Sequence, residues 1–446
     1  RRVMKTFKLG GIHPEENKLA RNSKVEVFPL PKKAVIFVSQ HLGAPSVPVV
    51  KKGDRVKTGQ LLAKAEAFIC ANTHSPFTGV ITKIDLAKDF NGYAKPAFYI
   101  DVEEDEWEEG IDVSDELVRE IRLTPAEIVE RIKNRGIVGL GGAAFPTHVK
   151  YMIPDGKKAE YLIINAVECE PYLTSDNRVL IERTEEVLTG IEIMKKALGV
   201  SIAKIGIEKN KPEAMERILT AAKSFEGIEI VPLKTKYPQG AEKQLVYALT
   251  KREVPSGKLP IEVGCVVNNV GTASAVYDAV QKNRPLIDNV LTYTGKNVKE
   301  NRNLLVRVGT SFREIADYCG GLPEHTGKII NGGPMMGKAI VNLDAPTVKT
   351  TSCILVMDEK ESKRKEQTNC LRCGKCVSAC PMGLEPVQLA LLAKQSRWEE
   401  TEKECAMDCI ECGCCLYTCP AGQPLLDFIR VAKINIGKLR RERSRK

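Results

Sequence analysis

Histidine is scarce in this chain, with five residues (His13, His41, His74, His148 and His325) among 446. No His-rich metal site, Ser-His-Asp set or paired catalytic carboxylates emerge, which argues against hydrolytic chemistry, and no catalytic side chain is assigned. Long hydrophobic runs are also missing. No stretch approaches the ~18 apolar residues that a bilayer span requires, and no charged, apolar, small-residue leader precedes the first folded-looking segment. Any membrane association is therefore expected to be peripheral. Compositional bias is absent as well: 43% apolar and 28% charged residues exclude a disordered or fibrous chain. The length suits about three average domains, and the pattern along the chain divides into four compact modules.

What the chain has in quantity is cysteine, 15 in all. Cys70, Cys169, Cys265, Cys319 and Cys353 are scattered, whereas ten lie between Cys370 and Cys419. An odd total with this crowding reads poorly as a disulfide ladder and well as metal ligation in a reducing compartment. The basic excess is localised too: residues 433–446 hold seven Lys/Arg and one acid, net +6 of the +10. Such a tail fits an anionic lipid face, an acidic partner or nucleic acid, or is simply a frayed solubilising terminus.

Residues 1–30 show little periodicity. Short apolar runs then alternate with Gly/Asp turns: Ala34–Val38, Val47–Val50, Arg55-Val56, Leu61–Ala63 and Val80-Ile81, which predict a small all-β module near 30–100. The Gly53-Asp54 and Ser75-Pro76 turns resemble those of the lipoyl or biotinyl carrier fold. The hairpin segment Ala65–Cys70 has no lysine to modify, so a structural barrel is expected rather than a swinging arm. Asp101–Asp115 reads as an acidic linker. Thr124-Pro125-Ala126-Glu127 is a helix cap. Beyond it strands at Tyr161–Asn165, Ile202–Ile207 and Gly227–Pro232 alternate with helices at 178–198, Glu213–Ala222 and Glu242–Leu249. That order predicts a helix-covered parallel sheet over about 125–290, with ligands outside the carboxyl ends of its strands. A β-α-β-β pattern occupies about 300–350, and Gln388–Ser396 is a helix between two cysteine runs.

Those runs are Cys370-x2-Cys373-x2-Cys376-x3-Cys380-Pro381 and Cys409-x2-Cys412-x2-Cys415-x3-Cys419-Pro420. Three thiolates at this spacing hold three irons of a cubane, and in the two-cluster bacterial pattern the fourth ligates the neighbouring cluster. Cys370, Cys373, Cys376 and Cys419 are thus assigned to one [4Fe-4S] centre, and Cys409, Cys412, Cys415 and Cys380 to the other. Zinc, the alternative, favours spaced pairs. Cys405 and Cys414 fall outside the count and are expected in the core or beside the clusters.

In the parallel-sheet region, Gly139-Leu140-Gly141-Gly142-Ala143 offers consecutive amides as an anion cradle, or a tight connection. Glu168 and Glu170, after the strongest strand, suit hydrogen bonds to a ribose or base, or else helix capping or a rim ion pair.

Four segments, GLGGAAFPT, NAVECEP, YPQGAE and NNVGT, resemble the flavin-binding domain of the NADH-oxidising subunit of respiratory complex I. The resemblance implies flavin mononucleotide contacts from Gly139, Gly141, Gly142, Ala143, Asn165, Glu168, Gly240, Glu242, Asn268, Asn269 and Thr272. It places Phe145, Glu170 and Glu242 towards a nicotinamide nucleotide, with Lys150 as a phosphate partner. Leu140, Val167, Ala241 and Gly271 depart from the family pattern and remove polar contacts.

Taken end to end, with FKLGGIHPEENK at 7–18 and INGGPMMG further on, the chain is similar to the C subunits of Rnf ion-translocating electron-transport complexes. That likeness implies a multidomain α/β protein: an N-terminal segment with a carrier-like (lipoyl-like) β barrel (1–115), a parallel-sheet flavin- and nucleotide-binding domain (120–298), a small β-grasp soluble-ligand-binding domain (299–352), a helical two-cluster ferredoxin-like domain (360–430) and a basic tail (431–446). It implies FMN, NAD(H) and two [4Fe-4S] clusters as cofactors. It also implies an electron-relay role in a membrane-bound ferredoxin:NAD oxidoreductase and a peripheral place on the cytoplasmic face of the membrane. Integral-membrane and cytoplasmic subunits, with ferredoxin as electron donor or acceptor of the complex, are the implied partners, and no nucleic acid is expected. A microcompartment cobalamin reductase of similar architecture is the alternative, and a docking scaffold the alternative of another class.

Overall fold

The computed structural model describes residues 4–444. Its first strands are β1 (Val25–Val27), β2 (Lys33–Phe37), β3 (Val47–Pro48), β4 (Arg55–Val56), β5 (Leu61–Lys64), β6 (Thr73–His74), β7 (Gly79–Lys88) and β8 (Ala94–Val102). A β2-β8-β7-β4 sheet and a small β3-β5-β6 sheet share one core, in which Ile36, Leu62, Phe77, Ile81 and Phe98 are fully buried. Strand β8 is absent from the sequence reading because Pro96 interrupts it, yet Phe98 and Ile100 alternate inward as a half-buried strand requires.

The acidic stretch after β8 is not a free linker. Asp105 pairs with Arg307, Asp112 meets Lys282 at 3.0 Å, and the Trp107 ring lies 5.3 Å from both the Arg284 and Arg307 guanidinium carbons.

Next come α1 (Pro125–Asn134), α2 (Thr147–Lys150), β9 (Tyr161–Ala166), α3 (Ser175–Glu182), α4 (Thr184–Leu198), β10 (Ile202–Glu208), α5 (Pro212–Ala221), β11 (Ile228–Leu233), α6 (Glu242–Thr250), β12 (Cys265–Asn269) and α7 (Val270–Lys282). Thr124 and Glu127 form the predicted capping box of α1. The sheet is parallel throughout, in the order β11-β10-β9-β12. Both faces are covered, as such sheets demand: Leu162 and Ile164 of β9 enter one core and Ile163 the other. From β9 the sheet grows through β10 to β11, then the chain returns to lay β12 on the other side of β9. This reversal opens a crevice at the carboxyl ends of β9 and β12.

The single helix expected over 178–198 is two helices. Arg183 leaves helical geometry at φ −128°, ψ 36°, and its guanidinium forks onto Asp278 of α7 at 2.7 and 3.0 Å.

A six-stranded mixed sheet follows, built from β13 (Asp288–Thr294), β14 (Arg302–Arg307), β15 (Thr326–Asn331), β16 (Lys338–Ala339) and β17 (Cys353–Asp358), with α8 (Phe312–Tyr318) packed on it. Its order is β1-β14-β13-β17-β15-β16. The sheet therefore exceeds the predicted β-α-β-β unit: β1 comes from the segment read as aperiodic, β13 lies before residue 298 and β17 after residue 352. Non-local pairing of this kind leaves no trace in local periodicity.

The remainder is helical: α9 (Glu359–Ser362), α10 (Lys375–Ala379), α11 (Pro386–Lys394), α12 (Trp398–Lys403), α13 (Cys414–Thr418) and α14 (Leu425–Ser444). The basic tail is no frayed terminus up to Ser444. It is the end of α14, with Ile436 fully buried and Arg440 and Arg443 both paired to Glu402 of α12. Arg445 and Lys446 lie outside the described residues. Cys414 is buried as expected, but Cys405 is exposed at a left-handed turn (φ 61°) rather than in the core.

Candidate functional site

The crevice at β9 and β12 gathers most of the predicted residues. The Gly139 loop closes on itself through Gly139 N–H to the Phe145 carbonyl at 2.9 Å, and docks on α7 by Leu140 N–H to Thr272 Oγ1 at 3.1 Å. A Cβ on Gly141 would come within 2.8 Å of Asn269, whereas one on Gly142 would meet nothing within 4 Å. One glycine therefore permits packing and the other borders open space. Ala143 is exposed and Phe145 half-buried. Asn269 caps α7 through Gly271 N–H at 2.7 Å and donates to Asp176 Oδ2 at 2.9 Å. Asn268 is held by the Tyr151 hydroxyl at 3.0 Å. Asn165 donates to the Gly240 carbonyl at 2.8 Å, which fixes the YPQGAE loop beside the end of β9.

Other predicted residues have partners of their own. Lys150 Nζ donates to the Val267 carbonyl at 2.7 Å. Glu168 caps α3, accepting from the Asp176 amide at 2.6 Å and the Asn177 amide at 3.3 Å, so the capping alternative describes this carboxylate. Glu170 accepts from the Met335 and Met336 amides at 3.1 and 2.6 Å. The INGGPMMG loop can approach it because Gly333 lacks a Cβ, which would lie 2.2 Å from Glu170 Oε2. Glu242 is exposed in the first turn of α6.

Sequence reasoning missed Lys18 and Asp176. Lys18 Nζ donates to the carbonyls of Glu168, Glu170 and Leu173 at 2.9, 2.8 and 2.7 Å, so a residue from the N-terminal segment shapes the whole NAVECEP turn. Desolvation, then the neighbouring Lys211 charge, lowers this ammonium to about 8. Asp176, which touches Asn269, is pushed up to about 7 by desolvation and by the Glu168 charge beside it. Helix spacing marked neither residue; only the folding of distant segments onto the turn does.

The two cysteine loops repeat one backbone. Arg372 and Glu411 are left-handed (φ 53° and 56°), as are Gly374 and Gly413 (φ 73° and 80°). Arg372 N–H points at Cys370 Sγ and Glu411 N–H at Cys409 Sγ, both at 3.4 Å. Cys380, Cys409, Cys412, Cys414 and Cys415 line one cavity with Leu384, Leu389 and Ile429. Burial, then the charges of Cys409, Cys412 and Cys380, push the Cys415 thiol up to about 12. Holding it as thiolate would need a compensating cation. The Cys376 thiol is raised by burial and also feels Cys419. Cys380 thus shares a cavity with the Cys409 run, and Cys419 lies near Cys376. Among the described residues no three His, Cys, Asp or Glu side chains form a group able to hold a single ion. Cys370 and Cys373 are exposed, whereas Cys412, Cys415 and Cys419 are buried.

Tyr237 joins the two regions. It lies in the YPQGAE loop, is 1% exposed, and donates its hydroxyl to the Cys412 carbonyl at 2.7 Å. Gln244 of α6 donates to the Pro381 carbonyl at 3.2 Å.

Comparison with known proteins adds family context. A family model described as the Nuo51 FMN-binding domain matches residues 132–278, and one described as the RnfC barrel sandwich hybrid domain matches residues 5–106. The chain is 45% identical to the C subunit of the proton-translocating ferredoxin:NAD(+) oxidoreductase complex of Clostridium ljungdahlii, over 90% of this chain and 87% of that one. It is 41% identical to the C subunit of the Na(+)-translocating complex of Acetobacterium woodii over 98% of each chain. It is 40% identical to the C subunit of the ion-translocating oxidoreductase complex of Rhodobacter capsulatus, over 98% of this chain and 84% of the relative. Among solved structures, an NAD+-reducing [NiFe]-hydrogenase in the H2-reduced state is 20% identical with a TM-score of 0.49, over 69% of this chain and 61% of that one.

Proposed function

The chain belongs to the family of Rnf C subunits, components of ion-translocating ferredoxin:NAD(+) oxidoreductase complexes, and from that premise we propose that it is the electron-relay subunit of such a complex. FMN would be held in the β9/β12 crevice by the Gly139, Gly141, Gly142 and Ala143 backbone, with Asn165, Gly240, Asn268, Asn269 and Thr272 around it. A bound flavin exchanges a hydride with nicotinamide and passes electrons singly to iron–sulfur clusters. Phe145 borders the approach for NAD(H). Lys150, Glu168 and Glu170 act as positioning residues, since their polar atoms hold the crevice walls. Glu242 would reach a nucleotide only from the exposed start of α6.

The observation that carries this reading is the Tyr237–Cys412 hydrogen bond, which seats the loop beside the crevice against a cluster-binding loop. The centre on Cys380, Cys409, Cys412 and Cys415 is then the inner one. The centre on Cys370, Cys373, Cys376 and Cys419 is the outer one, facing other subunits or an electron carrier such as ferredoxin across a rim that includes exposed Leu371 and Arg372. No helix among the described residues is long and apolar enough to cross a membrane. In this reading ion movement belongs to integral subunits of the complex, with this chain peripheral on the cytoplasmic face.

The test is anaerobic purification followed by NADH titration. Bound FMN, about eight irons and eight sulfides per chain from two four-iron centres, and bleaching of the cluster absorbance by NADH are expected. Full flavin and cluster loading with no bleaching would defeat the relay.

A further inference from the structure

A cavity lies at the carboxyl ends of β9, β10 and β11, beside but outside the β9/β12 crevice; none of the Gly139 loop, Asn268, Asn269 or Thr272 lines it. Its volume is about 430 Å³, within the range of small-molecule sites. The N-terminal segment forms its cover, tied down by Ile12 N–H to the Tyr237 carbonyl at 2.9 Å and Lys234 N–H to the Lys5 carbonyl at 3.1 Å.

The lining is cationic. Lys209, Lys234 and Lys236 stand on the ends of β10 and β11, and His13 faces them from the cover. Lys236 Nζ lies 4.0 Å from the Phe7 ring centroid, and among the described residues none of these three lysines pairs with a carboxylate. Of the two acids in the lining, Glu16 pairs with Arg21 at 3.6 Å. The other, Glu208, is 1% exposed, accepts the Lys236 amide at 3.2 Å, and is held up at about 7 by burial. Lys18 also lines the cavity, but its ammonium is already engaged by three carbonyls.

Lys209 and Lys234 are exposed at the cavity mouth and Lys236 is half-buried. Three lysines without carboxylate partners around one cavity at a parallel-sheet carboxyl edge fit a phosphate group.

We propose that this cavity binds a phosphorylated small molecule of up to mononucleotide size, at a site additional to the flavin crevice. Its inner wall includes Cys169 and Tyr237. Cys169 Sγ adjoins Gly240 and Tyr237 touches Cys412, so the ligand would rest against the residues between crevice and inner cluster.

The test is calorimetric titration of the full chain, loaded with its cofactors, with inorganic phosphate, pyrophosphate and ADP. Saturable binding is expected, tightest for ADP if the natural ligand is a nucleotide and equal for phosphate if it is the free anion. The double variant Lys209→Ala/Lys234→Ala and the single variant Lys236→Ala should each weaken binding about tenfold or more, as loss of charge-assisted hydrogen bonds does. Flavin absorbance and iron content should stay unchanged. Absence of saturable binding by all three probes, or unchanged affinity in both variants, overturns the proposal. Competition by added FMN or NADH would place the anion in the flavin crevice and overturn it equally, while leaving the relay reading intact.

Discussion

The Tyr237 phenol donates a 2.7 Å hydrogen bond to the Cys412 carbonyl across 175 residues of sequence. It fastens the end of the parallel-sheet domain to the backbone of the Cys409–Cys415 loop, and both groups are buried. Replacing Tyr237 by Phe removes the donor and leaves that carbonyl unsatisfied, at a cost of about 1–3 kcal/mol. A lower anaerobic melting midpoint and faster loss of the inner-cluster absorbance in air are expected. A Tyr237→Phe protein indistinguishable from wild type in both would show that the contact holds nothing together.

The proposed crossed ligation predicts a signature in iron content. Cys380→Ser should remove the centre built on the Cys409 run, and Cys419→Ser the one built on the Cys370 run, each leaving about four irons. Paired with Cys409→Ser and Cys370→Ser respectively, the losses should not add, because each pair serves one centre. Electron paramagnetic resonance of the reduced variants separates the two signals; additive loss within these pairs would mean that each run closes its own cluster.

Gly141 and Gly142 should behave differently although they are adjacent. A methyl on Gly141 meets Asn269 at 2.8 Å, so Gly141→Ala displaces the loop and lowers stability even without cofactor. A methyl on Gly142 meets no protein atom within 4 Å, so Gly142→Ala should leave apo stability within about 0.5 kcal/mol. Flavin affinity should fall in both. Retention of flavin by Gly142→Ala at wild-type affinity would put the isoalloxazine or its phosphate elsewhere.

Stability should depend on pH through three carboxyls, Glu170, Asp176 and Glu208, all raised to about 7, mainly by desolvation. A folded-state value above the unfolded one means that the native protein holds the extra protons. The penalty is thus nil at acid pH, grows as pH rises from about 4 and is complete above about 7. Glu208→Gln removes one such penalty and should raise the unfolding free energy at pH 8 by about 1–3 kcal/mol, with little effect near pH 5. Melting midpoints at the two pH values decide it; equal gains at both would show that ionisation is not the cause.

The sequence alone determined the elements and chemistry that depend on near neighbours. The alternating strand and helix signals place β9, β10, β11 and α6 within a residue or two. The Thr124 box is local, and the spacing of the cysteine runs predicts three ligands per loop because a short loop can turn only so many ways. The family resemblance rests on the same short motifs.

Tertiary structure decided what depends on segments distant in sequence. β1 and β17 enter the six-stranded sheet by pairing with partners that no local pattern names, and the break at Arg183 answers to Asp278 on another helix. Glu168 and Glu170 carry the right chemistry for a ligand, yet their oxygens are engaged by the amides of α3 and of the Met335 turn. The basic tail, identical in charge whether frayed or folded, is helical up to Ser444 because Ile436 is buried and Glu402 meets two of its arginines. Composition fixes how many charges a chain carries; only the fold brings opposite charges and apolar faces close enough to determine what each one does.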